Sequence, residues 1–247
     1  MADSLFNTLN ISARDMSNRM ADLDTVANNL ANLNTAGFQS TRQNFQEFFS
    51  SQNLEGNKIN GSQILTNQGN IITTDNPYDW AIQGDGYFAV TLPDGKTGYT
   101  RDGEFQLDAD QQLVNSSGYK LNWSGKIPTG TTDISIGSDG TVNAIASDGT
   151  SQKIGTVQLA IFANPTALVN AGNNVWEAGD NSGTAQMTTP GMNGSGTIQS
   201  HAYEASNVNP TDEMANLVQI ERGFQMTSRV FQQTDTMIEE AIHLRKA

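Results

Sequence analysis

The chain has 247 residues, is 36% apolar, carries 23 Gly and 6 Pro, and contains no cysteine. Its formal net charge of -13 at pH 7 argues against nucleic acid, whose phosphates need clustered Lys and Arg, and against an anionic membrane surface. Without cysteine there are no disulfides and no thiol chemistry, and the abundance of Gly over Pro suits turn-rich β structure and extended polar surface.

The N-terminus, Met-Ala-Asp-Ser, lacks the basic and apolar regions of a cleavable signal peptide. No apolar run approaches the length that spans a bilayer. We therefore expect no membrane insertion. If the protein leaves the cytoplasm, its route removes no N-terminal signal.

Residues 3 to about 33 read as one helix, capped by Asp3 or Ser4. In heptads, Phe6, Ala13, Met20 and Ala27 fall on one line, and Leu9, Met16, Leu23 and Leu30 fall three residues on. These are four unbroken a/d layers, a narrow apolar seam with little else to bury. Arg14, Arg19, Asp22 and Asp24 lie off it, as expected for a solvated or laterally packed face. Asn28, Asn29, Asn32 and Asn34 compete for backbone hydrogen bonds, so the helix should fail among them. Thr35-Ala36-Gly37 then supplies a residue that tolerates positive φ just past the stop.

Residues 36 to about 70 form a polar passage with aromatic spots at Phe38, Phe45, Phe48 and Phe49. Gly punctuates it, so it reads as a connector with short structured pieces. From Ile71 the pattern becomes short strands: 79–83, 87–92, 98–101, 104–107, 112–114, 119–121, 134–136, 142–145, 157–162, 173–177 and 196–199. Pro93-Asp94-Gly95-Lys96 is a tight turn. Ser-Asp-Gly-Thr occurs at 138–141 and again at 147–150 and brackets a hairpin. Val157–Phe162 is the most apolar strand and the expected centre of the β core.

From about Thr211 to Leu244 the helical period returns. Pro210 and the acids Asp212 and Glu213 mark the start. Leu217, Phe224, Phe231 and Ile238 repeat at seven residues, and Ile220, Thr227, Thr234 and Ala241 lie three residues on. Chain termini are ordinarily expendable, yet here they carry the strictest patterning. Two readings stay open: an intramolecular helix pair packed on the β domain, or a coiled-coil wall made with other copies through heterologous contacts that do not close into a ring.

Ala27–Phe38 resembles the N-terminal signature of the axial proteins of the bacterial flagellum, the rod, hook and hook-associated group. Three further stretches agree, in the right order. Ala81–Phe88 resembles the segment opening the family's β domain, and Tyr99–Phe105 its next signature. Ser206-Asn207-Val208-Asn209-Pro210, continuing through Met214, Val218, Gln219, Arg222, Phe224 and Asp235, resembles the C-terminal helix signature.

The resemblance implies a structural subunit of the basal-body rod and not an enzyme, polymerising helically into a hollow shaft that transmits motor torque to the hook. Length favours a rod protein over a hook protein, and the C-terminal helix resembles the distal rod type. A proximal rod or short hook-type protein is the alternative, and a monomeric β-rich binding domain on a helical stalk is the alternative from another class. Implied partners are other copies of the chain, other rod and hook proteins, the flagellar type III export apparatus, and ring bushing proteins. The implied place is the rod in the periplasmic space, reached without signal cleavage. Family-motif positions are Asn28, Asn29, Leu30, Ala31, Asn32, Thr35, Gly37, Phe38, Gly84, Gly86, Tyr99, Arg101, Gly103, Ser206, Asn207 and Val208. Gly223 stands where the family usually has alanine, a weak point in a helix.

The expected fold class is α+β: long N- and C-terminal helices forming a coiled-coil-like assembly domain (1–35 and 208–247), a connector (36–75 and 190–207) and a central all-β outer domain (76–189). The assembly seam is assigned to Phe6, Leu9, Met16, Met20, Leu23, Leu30, Leu217, Ile220, Phe224, Phe231 and Ile238. No catalytic, cofactor or metal site is expected. Gly84-Asp85-Gly86-Tyr87-Phe88-Ala89 matches a dinucleotide fingerprint only formally, because a strand and not a helix follows the glycines. Asp108-Ala109-Asp110 lacks the rest of a calcium loop, and the two histidines, His201 and His243, lie far apart. Asp102 and Glu104 could form a glycosidase pair but read as turn formers, and Trp80, Trp123 and Trp176 as β-core aromatics rather than a sugar platform.

Overall fold

The computed structural model describes residues 2–49, 54–146 and 149–246, with side chains for 7–44, 62–146, 149–240 and 243. Two long helices bound the chain, α1 (Ala2–Ala31) and α2 (Pro210–Lys246), with a largely β region between them. The fold is α+β. The chain divides into two units, one made of 1–31, 41–63 and 209–247, the other of 32–40 and 64–208.

In the helical unit, α1 stops at Ala31, and Asn32 to Asn34 are already turn, as the competing Asn side chains require. The Asp3 or Ser4 cap falls on side chains outside the described residues. The start of α2 carries the expected chemistry. Asn209 Oδ1 accepts the Thr211 N–H at 3.1 Å, Pro210 opens the helix, and Asp212 and Glu213 sit in its first turn.

The polar passage contains two strands not expected from the sequence, Thr41–Phe49 and Leu54–Ile64, which pair as a two-stranded ribbon. Its alternating polar residues carry no strong β signal, so the passage read as a connector. The side chains of Phe45, Phe48 and Phe49 lie outside the described residues.

The hub of the β unit is Tyr87–Thr91, which pairs with Thr97–Thr100, Lys120–Leu121 and Leu159–Ile161. Around it a nine-stranded sheet extends on one side to Val175–Glu177 and Val169–Gly172, and on the other to Leu113–Val114 and Gln106–Leu107. The apolar stretch 157–162 is therefore not the centre. Only Leu159–Ile161 is strand, and its apolarity reflects duty on both faces. Val157 and Leu159 join the large core with Trp80, Phe88, Phe105, Ile134 and Val142, whereas Ala160 and Phe162 join Tyr87, Tyr99 and Trp176. Edge-to-face aromatic pairs knit each side, Phe88 with Phe105 at 5.3 Å and Tyr99 with Phe162 at 4.8 Å.

The expected hairpin around 138–150 is a three-stranded meander, Thr131–Ile136, Thr141–Ala146 and Ser151–Thr156. Gly140 makes the first turn; Ser147 and Asp148 lie outside the described residues. Two small sheets complete the unit. Trp80–Gln83 pairs with Thr197–Ser200, and Ile71–Thr73 with Ala202–Glu204.

Candidate assembly surfaces and the motif junction

In the helical unit, α1 and α2 run antiparallel in one register. Asn29 Nδ2 donates to Glu213 Oε1 at 2.9 Å, and Thr227 Oγ1 donates to Asp15 Oδ2 at 2.7 Å. Midway, Arg19 lies against Gly223, held by its 2.8 Å bond to Asp15. Gly223, expected as a weak point, is thus a close approach: a Cβ there would overlap the guanidinium. Asn29, 2% exposed, also pairs with the Thr41 backbone, accepting its N–H at 3.0 Å and donating to its C=O at 2.9 Å. That fixes where the ribbon begins.

The hydrogen bonds from α1 to α2 come from residues off its apolar seam. The buried positions of α1 are Ser12, Val26 and Asn29, and with Asp15 and Arg19 they form a line displaced by one residue, about 100° of helix rotation. Of the expected seam, Leu9, Met16 and Leu30 are half-buried, while Met20 and Leu23 are exposed by 60% and 39%. The side chain of Phe6 lies outside the described residues. On α2, Leu217, Ile220, Phe224, Phe231 and Ile238 are half-buried. Met214, Val218, Met226, Val230 and Met237 are exposed. The hydrogen bonds between the helices come from polar side chains, and apolar side chains on both helices stay exposed.

In the β unit, the motif stretches that are far apart in sequence meet at one junction. Arg101 Nη1 and Glu204 Oε2 form an ion pair at 3.0 Å with side chains only 3% and 2% exposed. Arg101 also donates to the Gly84 carbonyl at 2.8 Å and lies over the Tyr87 ring. Glu204 accepts the Gly69 N–H at 2.9 Å through its second oxygen. Burial pushes the Glu204 carboxyl above its usual range, against the pull of Arg101 and the Gly69 N–H. The Tyr87 hydroxyl, raised in the same way by burial, donates to Gln39 Oε1.

The exit from α1 is fastened to this junction by backbone. Gly37, at φ +62°, donates its N–H to the Glu204 carbonyl at 2.6 Å and packs on the Arg101–Asp102 backbone with no room for a Cβ. Before it, Thr35 Oγ1 donates to Asn32 Oδ1, and Ala36 accepts from Asn174 Nδ2. Asn207 uses its whole amide: Oδ1 accepts the Ser40 N–H at 2.7 Å, and Nδ2 donates to the carbonyls of Leu65 and Asn67, both at 2.8 Å. Phe38 and Val208 are buried beside it, Ser206 Oγ accepts the Val208 N–H, and Gly103 accepts from the Trp80 N–H. Gly86 leads into the hub strand. Asn28 and Ala31 remain at the surface.

Glu204, Gln39 and Asn174 were not singled out from the sequence, nor were Ser12 and Asp15; Glu213 was read only as a helix-start acid and Tyr87 only as part of a motif stretch. One weak signal existed. A lone basic residue in a strand-and-turn motif needs a carboxylate, but nothing chooses among 26 acids.

The residues considered for chemistry have structural places. Asp102 Oδ1 accepts the Glu104 N–H and Oδ2 the Ser116 hydroxyl. Asp108 Oδ1 accepts the N–H groups of Asp110 and Gln112. Trp80 and Trp176 are buried. Trp123, half-buried on a cleft of about 460 Å³ with Tyr99, lies across Gly125 and Gly155. Among the described residues no group of three or more His, Cys, Asp or Glu could hold a metal, and no helix is long and apolar enough to cross a membrane.

Paired terminal helices, a β unit between them and motif stretches gathered at one junction fit the axial proteins of the flagellum. Residues 9–39 match the Flagella basal body rod protein family, 81–144 the Flagellar hook protein FlgE/F/G D1 domain, and 199–244 the Flagellar basal body rod FlgEFG protein C-terminal family. The chain is 36% identical over 255 residues to the flagellar basal-body rod protein FlgG of Bacillus subtilis, covering 94% of this chain and 96% of the relative. It is 33% identical to FlgG of Buchnera aphidicola from Acyrthosiphon pisum, at 95% and 98% coverage. It is 32% identical to the rod protein FlgF of Mesorhizobium japonicum, at 89% and 90%. The chain belongs to the flagellar basal-body rod protein family, and it is a structural protein of the bacterial flagellum.

Proposed function

We propose that this chain is a distal-rod subunit that polymerises helically into the shaft carrying motor torque to the hook. The carrying observation is the outward apolar face of the helix pair, with Met20, Leu23, Met214, Val218, Met226, Val230 and Met237 all exposed in the single chain. Burying the exposed parts of seven such side chains is worth roughly 10 kcal/mol, comparable with the cost of immobilising a subunit. Copies of the chain are the occupants that the rod family supplies. In the assembled rod, the helix pair forms the inner wall and the expected seam residues share the contacts between copies.

Similarity to FlgG over nearly the whole chain supports the distal position; the FlgF relative makes the proximal rod the next reading. Neighbouring rod and hook proteins cap the two ends of the stack, and ring bushing proteins surround it. The subunit reaches this place through the flagellar export apparatus.

The test is Leu23→Asp with Val230→Asp in the full chain. Because both side chains are exposed, the monomer should keep its helix content, while rods isolated from the bacterium expressing it should lack the protein. Normal incorporation of the doubly charged variant would refute the reading.

A further inference from the structure

Among the described residues six methionines are exposed, and four of these, Met20, Met214, Met226 and Met237, lie on the terminal helices with exposures of 60%, 57%, 69% and 57%. The chain has no cysteine, so thioethers are its softest oxidisable groups. Met226, Val230 and Met237 fall on one side of α2, since steps of four and seven residues return to the same face. Leucine would serve such a face equally well for burial. Methionine adds a sulfur that peroxide can reach in the free subunit.

We propose that Met20, Met214, Met226 and Met237 are separate oxidation-sensitive positions whose oxidation blocks polymerisation of the free subunit and which are shielded once the subunit is assembled. The inference rests on the assembly reading above. The reagent class is a peroxide. One peroxide oxygen transfers to the thioether sulfur, the O–O bond breaks and an S–O bond forms. Sulfur loses two electrons, and hydrogen peroxide is reduced to water. The product sulfoxide is polar and chiral where the thioether was apolar and flexible. Buried between subunits without a donor, it costs what any unpaired polar group costs. Met187 and Met192, exposed by 41% and 62% on the β unit, lie outside the helices and serve as internal controls.

The experiment treats purified full-length chain with hydrogen peroxide before or after polymerisation. Sulfoxide is mapped by peptide mass spectrometry, and polymer is measured by sedimentation. Oxidation beforehand should raise the concentration needed for polymerisation by about tenfold or more, the effect of one buried unpaired polar group. Oxidation afterwards should mark Met187 and Met192 but spare the four helix sites. Methionine sulfoxide reductase should restore assembly, and a variant with Met20→Leu, Met214→Leu, Met226→Leu and Met237→Leu should polymerise regardless of peroxide. If untreated chain polymerises and oxidised chain does so equally well, this inference alone fails. Persistent peroxide sensitivity in the leucine variant, or no recovery with the reductase, would also overturn it. If untreated chain never polymerises, the assembly reading falls and this inference with it.

Discussion

A guanidinium and a carboxylate that are almost wholly buried at 3.0 Å make Arg101 and Glu204 unequal to their separate deletions. Arg101→Met leaves the Glu204 charge buried and alone, which should cost about 3–5 kcal/mol. Adding Glu204→Leu should recover much of that loss, because a buried pair can be replaced by apolar groups with little penalty. Urea unfolding followed by the fluorescence of buried Trp80 measures both. A nearby set of acids sets a pH slope. The Glu104 carboxyl is raised, first by burial and then by the charges of Asp102 and Asp79. A raised carboxyl favours the folded state when protonated. Its contribution is full below about pH 4.3, the unfolded value, and is lost as pH rises through the folded value. Glu104→Gln should therefore match the wild type at pH 4 and exceed it in stability at pH 7. The gain should stay under about 1 kcal/mol because the group is partly exposed to solvent. Thermal melts at the two pH values decide it.

The two helices were legible because a seven-residue period over thirty residues is hard to produce otherwise, and Asn209 with Pro210 marked a start that geometry repeats. The polar contacts between the helices were not legible. Heptad reasoning marks apolar positions only, whereas Asp15 and Asn29 make the hydrogen bonds across the pair and Arg19 lies against Gly223. The ribbon was missed for a related reason: Thr41–Phe49 is placed by the amide of Asn29 and not by its own alternation. At the motif junction, Arg101 and Glu204 are 103 residues apart, a distance over which no spacing rule operates. The polar helix contact should be weak. Coupling between Asp15→Ala and Thr227→Val in a double-mutant cycle should stay below about 1 kcal/mol, as for other part-exposed polar pairs. In the free chain, helix amides should exchange with solvent well before those of Tyr87–Thr91, which is paired on both edges.

For the protein as a structural subunit, the division between a β unit with its own aromatic core and a helical unit with exposed apolar side chains predicts different fates in the free state. Limited proteolysis of dilute chain should trim α1 and α2 first and leave a resistant β fragment, because long helices with unburied apolar faces gain stability mainly from tertiary packing. The same helices should resist cleavage in the polymer. The most direct measurement is electron cryomicroscopy of the rod assembled from this chain, at a resolution that traces side chains. The predicted result is a helical tube whose wall is built from α1 and α2, with Met20, Leu23, Met226, Val230 and Met237 buried against neighbouring copies. A rod in which that face lies open to solvent and copies touch only through their β units would contradict the account.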